Sequence, residues 1–146
     1  MYAPVTSAYL PARIIFLSRQ ESGVRTDTQA LRSLGVRGIR HISGGGEFLD
    51  QLEQNQAKIR TPGRETGIVE ALVCDEQLAD MSALVFLRAL AALPSGRTLP
   101  VVVLTASPDA CRDFQAAGVQ CLARPYAAED LAEALNRALS PLRGPL

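Results

Sequence analysis

The chain has 146 residues, of which 47% are hydrophobic and 21% are charged. Since a domain takes roughly 150 residues, this length predicts a single domain. The composition is typical of soluble globular proteins and excludes a disordered chain, a collagen-like repeat and a coiled coil. The 15 basic and 15 acidic residues cancel, so the charge balance gives no indication of nucleic-acid binding.

The N-terminus and the cysteines predict a protein of the reducing cytoplasm. Residues 1–12 contain no basic segment followed by an apolar core, so they do not read as a secretion signal. No apolar run approaches the roughly 18 residues of a membrane span. The three cysteines form no CxxC pair, which argues against a disulfide framework. Cys74 and Cys121 lie in apolar runs and are expected to be buried, inert thiols.

Short apolar runs alternate with longer amphipathic segments along the chain. The apolar runs predict five strands: Arg13–Leu17, Ile39–Ile42, Val69–Cys74, Pro100–Thr105 and Val119–Ala123. The amphipathic segments predict five helices: Val24–Leu34, Glu47–Ala57, Ser82–Leu93, Ser107–Ala117 and Ala127–Leu139. This alternation predicts an α/β domain with a parallel sheet and helices on both faces. The domain is expected to span 13–139, between a flexible arm at 1–12 and a frayed tail at 140–146.

The predicted strand ends carry the polar groups of greatest interest. In an open parallel sheet, ligands bind at the carboxyl ends of the strands, where the strand order reverses. Asp75 follows the third strand, Thr105 ends the fourth and Arg124 follows the fifth. A carboxylate, a hydroxyl and a guanidinium are therefore expected in one crevice. There the carboxylate could act as a nucleophile or bind a cation.

These strand ends, together with the segments CDEQLADMSAL, VVVLTAS and CLARPY, resemble the receiver domain of bacterial two-component response regulators. The resemblance spans about residues 13–139 and implies a doubly wound, flavodoxin-like (βα)5 fold with strand order 2-1-3-4-5. It also implies that Asp75 is the phosphoacceptor position, and that Thr105, Ala106 and Arg124 are the phosphoryl-binding positions. The partner it implies is a histidine kinase, a phosphotransfer protein or another signalling domain.

The sequence departs from that family at three places. Ser18 and Arg19 stand where the family has the acidic pair that binds Mg²⁺. The lysine before the proline is Arg124, and the switch aromatic is Cys121. Because Mg²⁺ prefers carboxylate ligands and a guanidinium differs from an ammonium in size and shape, neither a metal site nor a Mg²⁺ cofactor is expected. The sequence instead predicts Asp75 between Arg19 and Arg124, in a bidentate arginine–carboxylate pair.

The sequence therefore predicts a receiver-like signalling module that acts through protein–protein contacts, with phosphorylation of Asp75 weak or absent. One alternative is a phosphorylation-competent receiver. Another is a binder of a small phosphate-bearing ligand, with Gly44–Gly46 as the phosphate loop at a helix N-terminus. An enzyme is not expected because no general base with a positioned nucleophile is visible. His41 is the single histidine, so no multi-histidine metal site can form.

Two surfaces are candidates for partner contacts. Six arginines and two acids lie between Arg13 and Arg40. They predict a solvated basic surface around the first helix or, by the resemblance, a docking patch for the histidine-bearing partner. The last helix is expected to expose a row of alanines: Ala127, Ala128, Ala132, Ala134 and Ala138. This row is either a homodimer contact or a consequence of the high helix propensity of alanine.

Overall fold

Five parallel strands form the central sheet of the molecule. The computed structural model describes residues 13–19, 21–36, 38–59, 71–93 and 99–139. The strands are β1 Arg13–Leu17, β2 Gly38–Ile42, β3 Ala71–Asp75, β4 Val101–Thr105 and β5 Gln120–Ala123. Neighbouring strands are all parallel, and their order is β2-β1-β3-β4-β5. This topology confirms the predicted flavodoxin-like α/β fold.

Within the described residues, five helices cover the two faces of the sheet. They are α1 Glu21–Ser33, α2 Gly45–Ile59, α3 Ala83–Ala91, α4 Pro108–Ala116 and α5 Ala128–Leu139. One core lies under α2, α3 and α4 and contains Phe48, Phe86 and Cys111. The other lies under α1 and α5 and contains Leu31 and Leu135. Both faces of the sheet are therefore covered, as the doubly wound pattern requires.

Strands β3 and β4 form the buried middle of the sheet. β3 pairs with β1 on one side and with β4 on the other, and the last four residues of β4 are completely buried. Strands buried on both faces are continuous apolar runs, which explains the uninterrupted VVVL segment. Each of these two strands ends in a polar residue, Asp75 and Thr105 respectively. The sheet thereby places both side chains at its carboxyl edge.

The ends of the chain lie outside the described residues, so the predicted arm at 1–12 and tail at 140–146 stay predictions. In the part of the chain that the structure describes, no helix combines the length and the apolar character needed to cross a membrane.

The alanines of α5 are not arranged as predicted. Ala132 and Ala134 are only 7% and 2% exposed, and Ala128 and Ala138 are partly buried, so that only Ala127 of the five is exposed. The reason is that α5 contacts α1 as well as β4 and β5, and small side chains let these elements approach closely. The prediction of an exposed alanine face is therefore wrong, and the homodimer contact argued from it loses its basis.

Candidate functional site

A crevice of about 510 Å³ lies at the carboxyl edge of the sheet. Five of the residues expected at the site line it: Ser18, Arg19, Asp75, Ala106 and Arg124. Helix α1 supplies much of one wall, and Tyr126 lies beside Arg124. The strand ends therefore meet in one place, as the topology of a parallel sheet requires.

Asp75 is held by a hydroxyl, a guanidinium and a backbone N–H group. Its Oδ2 accepts a hydrogen bond from the Ser18 hydroxyl at 3.3 Å. Its Oδ1 accepts from Nη1 of Arg124 at 3.2 Å and from the backbone N–H of Glu76 at 2.9 Å. The side chain is 26% exposed, so it can be reached from the crevice.

Arg124 divides its guanidinium between two carboxylates. Nη1 lies 3.2 Å from Oδ1 of Asp75, and Nη2 lies 2.8 Å from Oδ2 of Asp27. Arg19 is exposed, and among the described residues it forms no ion pair with Asp75. The prediction of a bidentate pair on Asp75 is therefore wrong, because the second N–H group of the fork binds Asp27.

Asp27 is the buried acid of the site, and it is not among the site residues predicted from the sequence. It is 2% exposed, and Tyr126 donates its hydroxyl proton to Oδ1. Burial of a carboxylate is costly unless the group is paired and hydrogen-bonded, and here Arg124 and Tyr126 meet that need. A signal was present in the sequence: Asp27 lies four residues before the buried Leu31, and this spacing places both on one face of a helix.

The two partners of Asp27 have perturbed pKa values. Burial, followed by the hydrogen bond to Asp27, raises the pKa of the Tyr126 phenol above its ordinary range. Partial burial works to lower the pKa of Arg124, but the hydrogen bond and charge of Asp27, followed by those of Asp75, raise it by more. Arg124 is thus a permanent cation, and Tyr126 keeps its proton well above neutral pH.

Thr105 and Glu76 form a second polar pair at the end of the sheet. Thr105 is completely buried, and its hydroxyl donates to Oε1 of Glu76. The same hydroxyl accepts a hydrogen bond from the N–H of Ser107 at 3.0 Å. The oxyanion that the Thr105 hydroxyl meets is therefore the Glu76 carboxylate, and not a group on Asp75.

The side chains around Asp75 do not fit a magnesium ion. Mg²⁺ requires oxygen ligands, usually one or two carboxylates besides its waters. The neighbours of Asp75 are instead the Ser18 hydroxyl and the Arg124 guanidinium, with Arg19 on the wall of the same crevice. Among the described residues, no three His, Cys, Asp or Glu side chains lie close enough together to hold a metal. The donor set thus disagrees with the metal that the resemblance implies.

The three cysteines and the histidine do not line the crevice. Cys121 is 2% exposed, and burial followed by a hydrogen bond with Cys111 raises the pKa of its thiol. Burial, followed by the charge of Asp75, also raises the pKa of Cys74. These observations confirm the predicted burial of Cys74 and Cys121. His41 is half-buried, and its Nε2 lies 2.8 Å from the carbonyl oxygen of Ser18.

The glycine turn after β2 is occupied by a carboxylate of the chain itself. Asp80 accepts hydrogen bonds from the N–H groups of Gly45 and Gly46, each at 2.9 Å. The bond from Gly46 does most to lower the pKa of Asp80. A Cβ on Gly45 would lie 2.8 Å from Cδ1 of Phe86, so glycine is needed for the close packing here. Since these N–H groups already have an acceptor, the turn is a poor candidate for a phosphate loop.

The fold and the crevice together define a class of domain: a doubly wound sheet with an aspartate, a hydroxyl and a cation at its carboxyl edge. No protein-family model matches the sequence. No curated protein matches it either. Solved structures, in contrast, match over most of their length.

Three of these structures show what the fold is similar to. A response regulator receiver domain protein from Clostridium thermocellum matches with a TM-score of 0.68 and 19% identity, covering 90% of this chain and 97% of that one. A chemotaxis protein of Vibrio cholerae matches with a TM-score of 0.64 and 19% identity, covering 89% and 100%.

The third structure is the receiver domain of a sensor histidine kinase from Pseudomonas aeruginosa, which has a magnesium ion coordinated in its active-site cleft. It matches with a TM-score of 0.65 and 23% identity, covering 88% of this chain and 98% of that one. The chain therefore has the fold of response regulator receiver domains.

Proposed function

We propose that the chain is a receiver-like signalling module of a two-component system or phosphorelay. It acts through protein–protein contacts, while phosphoryl transfer to Asp75 is weak or absent. The observation that supports this best is the set of partners around Asp75, where Ser18 and Arg124 bind the carboxylate directly. A receiver fold with this arrangement keeps the phosphoacceptor position but not the ligands for a metal.

The chemistry of phosphoryl transfer explains why these partners matter. The reaction needs cations that neutralise the charge on the transferred group, and metal ions do so by bridging its oxygens. Arg124 is already shared between Asp75 and Asp27, so its charge is largely compensated. Arg19 could supply a positive charge from the crevice wall, but a guanidinium cannot coordinate the oxygens of the transferred group as a metal ion does. Asp75 is therefore expected to react slowly with phosphoryl donors.

The proposed partner is a histidine kinase, a phosphotransfer protein or another signalling domain. The fold alone would not justify this choice of partner. The acidic, hydroxyl and cationic groups at the strand ends support it, because they are the groups that the resemblance to receiver domains implies there. Of the arginines on and around α1, Arg19, Arg32 and Arg40 are exposed. They form either the docking patch or a solvated surface, and their joint replacement by glutamine would separate the two in a binding assay.

Phosphorylation by phosphoramidate, whose P–N bond is like that of phosphohistidine, tests the proposal without a known partner. Wild type and Asp75→Asn are incubated with phosphoramidate and Mg²⁺, and the phosphoryl adduct is measured by intact mass spectrometry. We expect the wild type to show little or no adduct beyond that of Asp75→Asn. Rapid labelling of the wild type that disappears in Asp75→Asn would overturn the proposal and favour the phosphorylation-competent alternative.

A further inference from the structure

We infer that Glu76 acts as a built-in anion, which binds the Thr105 hydroxyl and thereby fixes the start of α4 independently of Asp75. The meaning of this contact for signalling rests on the proposed function, but its evidence comes from separate hydrogen bonds. The contact matters for the proposed function because it holds the α4 surface in place.

Asp75 and Glu76 are adjacent in the chain, yet their carboxylates have separate partners. Asp75 binds Ser18 and Arg124, whereas Glu76 accepts the proton of the Thr105 hydroxyl. The charge of Glu76 also contributes to the raised pKa of the Cys121 thiol, after burial and the contacts with Cys111. The Glu76 carboxylate is thus directed towards β4 and β5.

The backbone of Glu76 is fixed on both sides, which limits how far its side chain can move. Its N–H is shared between the carbonyl oxygen of Leu104 at 3.0 Å and Oδ1 of Asp75 at 2.9 Å. Its own carbonyl oxygen accepts from the N–H of Ala83 at 2.8 Å. The residue therefore lies between the end of β4 and the first residue of α3. This anchoring keeps the carboxylate within reach of Thr105.

A continuous set of hydrogen bonds connects Glu76 to α4. The Thr105 hydroxyl that donates to Glu76 accepts from the N–H of Ser107 at 3.0 Å. Ser107 is the N-cap of α4, and its Oγ accepts from the N–H of Ala110 at 3.1 Å. Its carbonyl oxygen accepts from the N–H of Cys111 at 3.0 Å. The Thr105 hydroxyl is therefore connected through Ser107 to the first turn of α4.

The hydroxyl of Thr105 has a single proton to give, and Glu76 takes it. Hydrogen bonds to an ionised acceptor are roughly twice as strong as neutral ones. A phosphoryl group on Asp75 would therefore have to displace the Glu76 carboxylate before it could accept the Thr105 proton. A change at Asp75 should consequently leave Thr105 and α4 in place. The α4 surface is thus held in one conformation by the chain's own carboxylate.

The inference is tested by the amide resonances of Ser107 and Ala110 in ¹⁵N-labelled protein. We expect Glu76→Ala to shift both resonances and to remove the hydrogen-exchange protection of the Ser107 amide. Glu76→Gln keeps an acceptor oxygen, so both resonances should stay near their wild-type positions. Asp75→Asn is the matched control and should perturb Tyr126 and the Arg124 side chain instead.

The inference is overturned if Glu76→Ala leaves the two amides unchanged, or if Asp75→Asn moves them as far as Glu76→Ala does. Should Glu76→Ala not fold, Thr105→Val takes its place, with Thr105→Ser as the variant that keeps the hydroxyl. The phosphoramidate experiment distinguishes this failure from failure of the proposed function. If Asp75 is labelled, the proposed function falls, and the inference stands only if Ser107 and Ala110 do not move on labelling.

Discussion

Three carboxylates lie near the carboxyl edge of the sheet, each with its own hydrogen-bond donors. Among the described residues, the one partner shared within this set is the guanidinium of Arg124, which binds Asp27 and Asp75; Glu76 is the third carboxylate. A guanidinium presents its N–H groups in a planar fork, whereas a lysine ammonium is a compact point charge. The structure therefore explains arginine at position 124, because one guanidinium can bind Asp27 and Asp75 at the same time.

The buried acid should contribute measurably to stability. We expect Asp27→Asn to lower the free energy of unfolding by about 2 kcal/mol, because hydrogen bonds to charged groups are worth about 1.5–3 kcal/mol. Urea denaturation measures this loss. Glu133→Gln is the control, because Glu133 and Arg137 form an exposed pair at 3.2 Å, and such pairs contribute only about 0.3–0.5 kcal/mol. Equal losses in the two variants would contradict the assigned role of Asp27.

The pH dependence of the Tyr126 contact follows from its raised pKa. Burial first and then the hydrogen bond to Asp27 raise this pKa, so the folded protein favours the neutral phenol, and this contribution to stability is fully present below the pKa of an unfolded tyrosine, about 10. This contribution is lost as the pH rises above that value. We expect the free energy of unfolding of wild type to exceed that of Tyr126→Phe by about 1 kcal/mol at neutral pH. This difference should shrink above about pH 10. Chemical denaturation at several pH values measures it, and a constant difference would contradict the contact with Asp27.

The sequence predicted which residues lie at the strand ends, because their positions follow from the strand pattern alone. Ser18, Asp75, Ala106 and Arg124 all line the crevice. Their partners could not be predicted in the same way, since Asp27 and Arg124 are separated by 97 positions in the chain. Which carboxylate receives which donor depends on side-chain directions that only the assembled sheet and α1 define.

The bounds of the secondary-structure elements could also be predicted where they depend on the local sequence, but not where they depend on distant residues. The bounds predicted for β1 agree with the structure because the apolar run RIIFL is itself the strand. Helix α2 begins at Gly45 rather than at the predicted Glu47. The acceptor for its first N–H groups is Asp80, which lies 35 positions away from Gly45. A cap supplied from another loop leaves no signal beside the helix that it starts.

The contact of Asp80 with α2 gives a prediction at this scale. Asp80→Ala removes the acceptor for two N–H groups and should cost about 1 kcal/mol at neutral pH, as loss of an N-cap does. The hydrogen bonds from Gly46 and Gly45 lower the pKa of Asp80. The stabilisation is therefore present above the pKa of an unfolded aspartate, about 3.9, and is lost as the pH falls below it. Urea denaturation of both proteins at several pH values measures the difference.

Two further variants make this test specific for the cap. Asp80→Asn keeps one acceptor oxygen, so its free energy of unfolding should lie between those of wild type and Asp80→Ala. Because an amide does not titrate, Asp80→Asn should not lose this stabilisation in acid. In Gly46→Ala the Cβ would lie 3.0 Å from Oδ2 of Asp80, so the carboxylate must shift and the part of the stability that is lost in acid should be smaller than in wild type. If wild type and Asp80→Ala differ by the same amount at acidic and neutral pH, the carboxylate does not act as the cap.

At the scale of the whole molecule, the receiver fold provides a common framework into which different site residues can be placed. The scaffold that positions Asp75 is the five-stranded sheet with its two covered faces, and its order agrees with the prediction. The residues that decide the chemistry are few, and they lie at the ends of β1, β3 and β5. Substitutions at those ends should therefore change the ligand preference of the crevice without changing the fold.

The framework predicts that a metal site can be introduced with two substitutions. Ser18→Asp places a second carboxylate where the Ser18 hydroxyl now contacts Asp75 at 3.3 Å, and Arg19→Asp removes a cation from the crevice wall. Because Mg²⁺ binds through one or two carboxylates and its own waters, we expect the double variant to bind Mg²⁺ more tightly than wild type in a calorimetric titration. Adding Asp75→Asn should abolish this gain. A double variant with no gain over wild type would show that positions 18 and 19 do not face Asp75 in the way the crevice geometry requires.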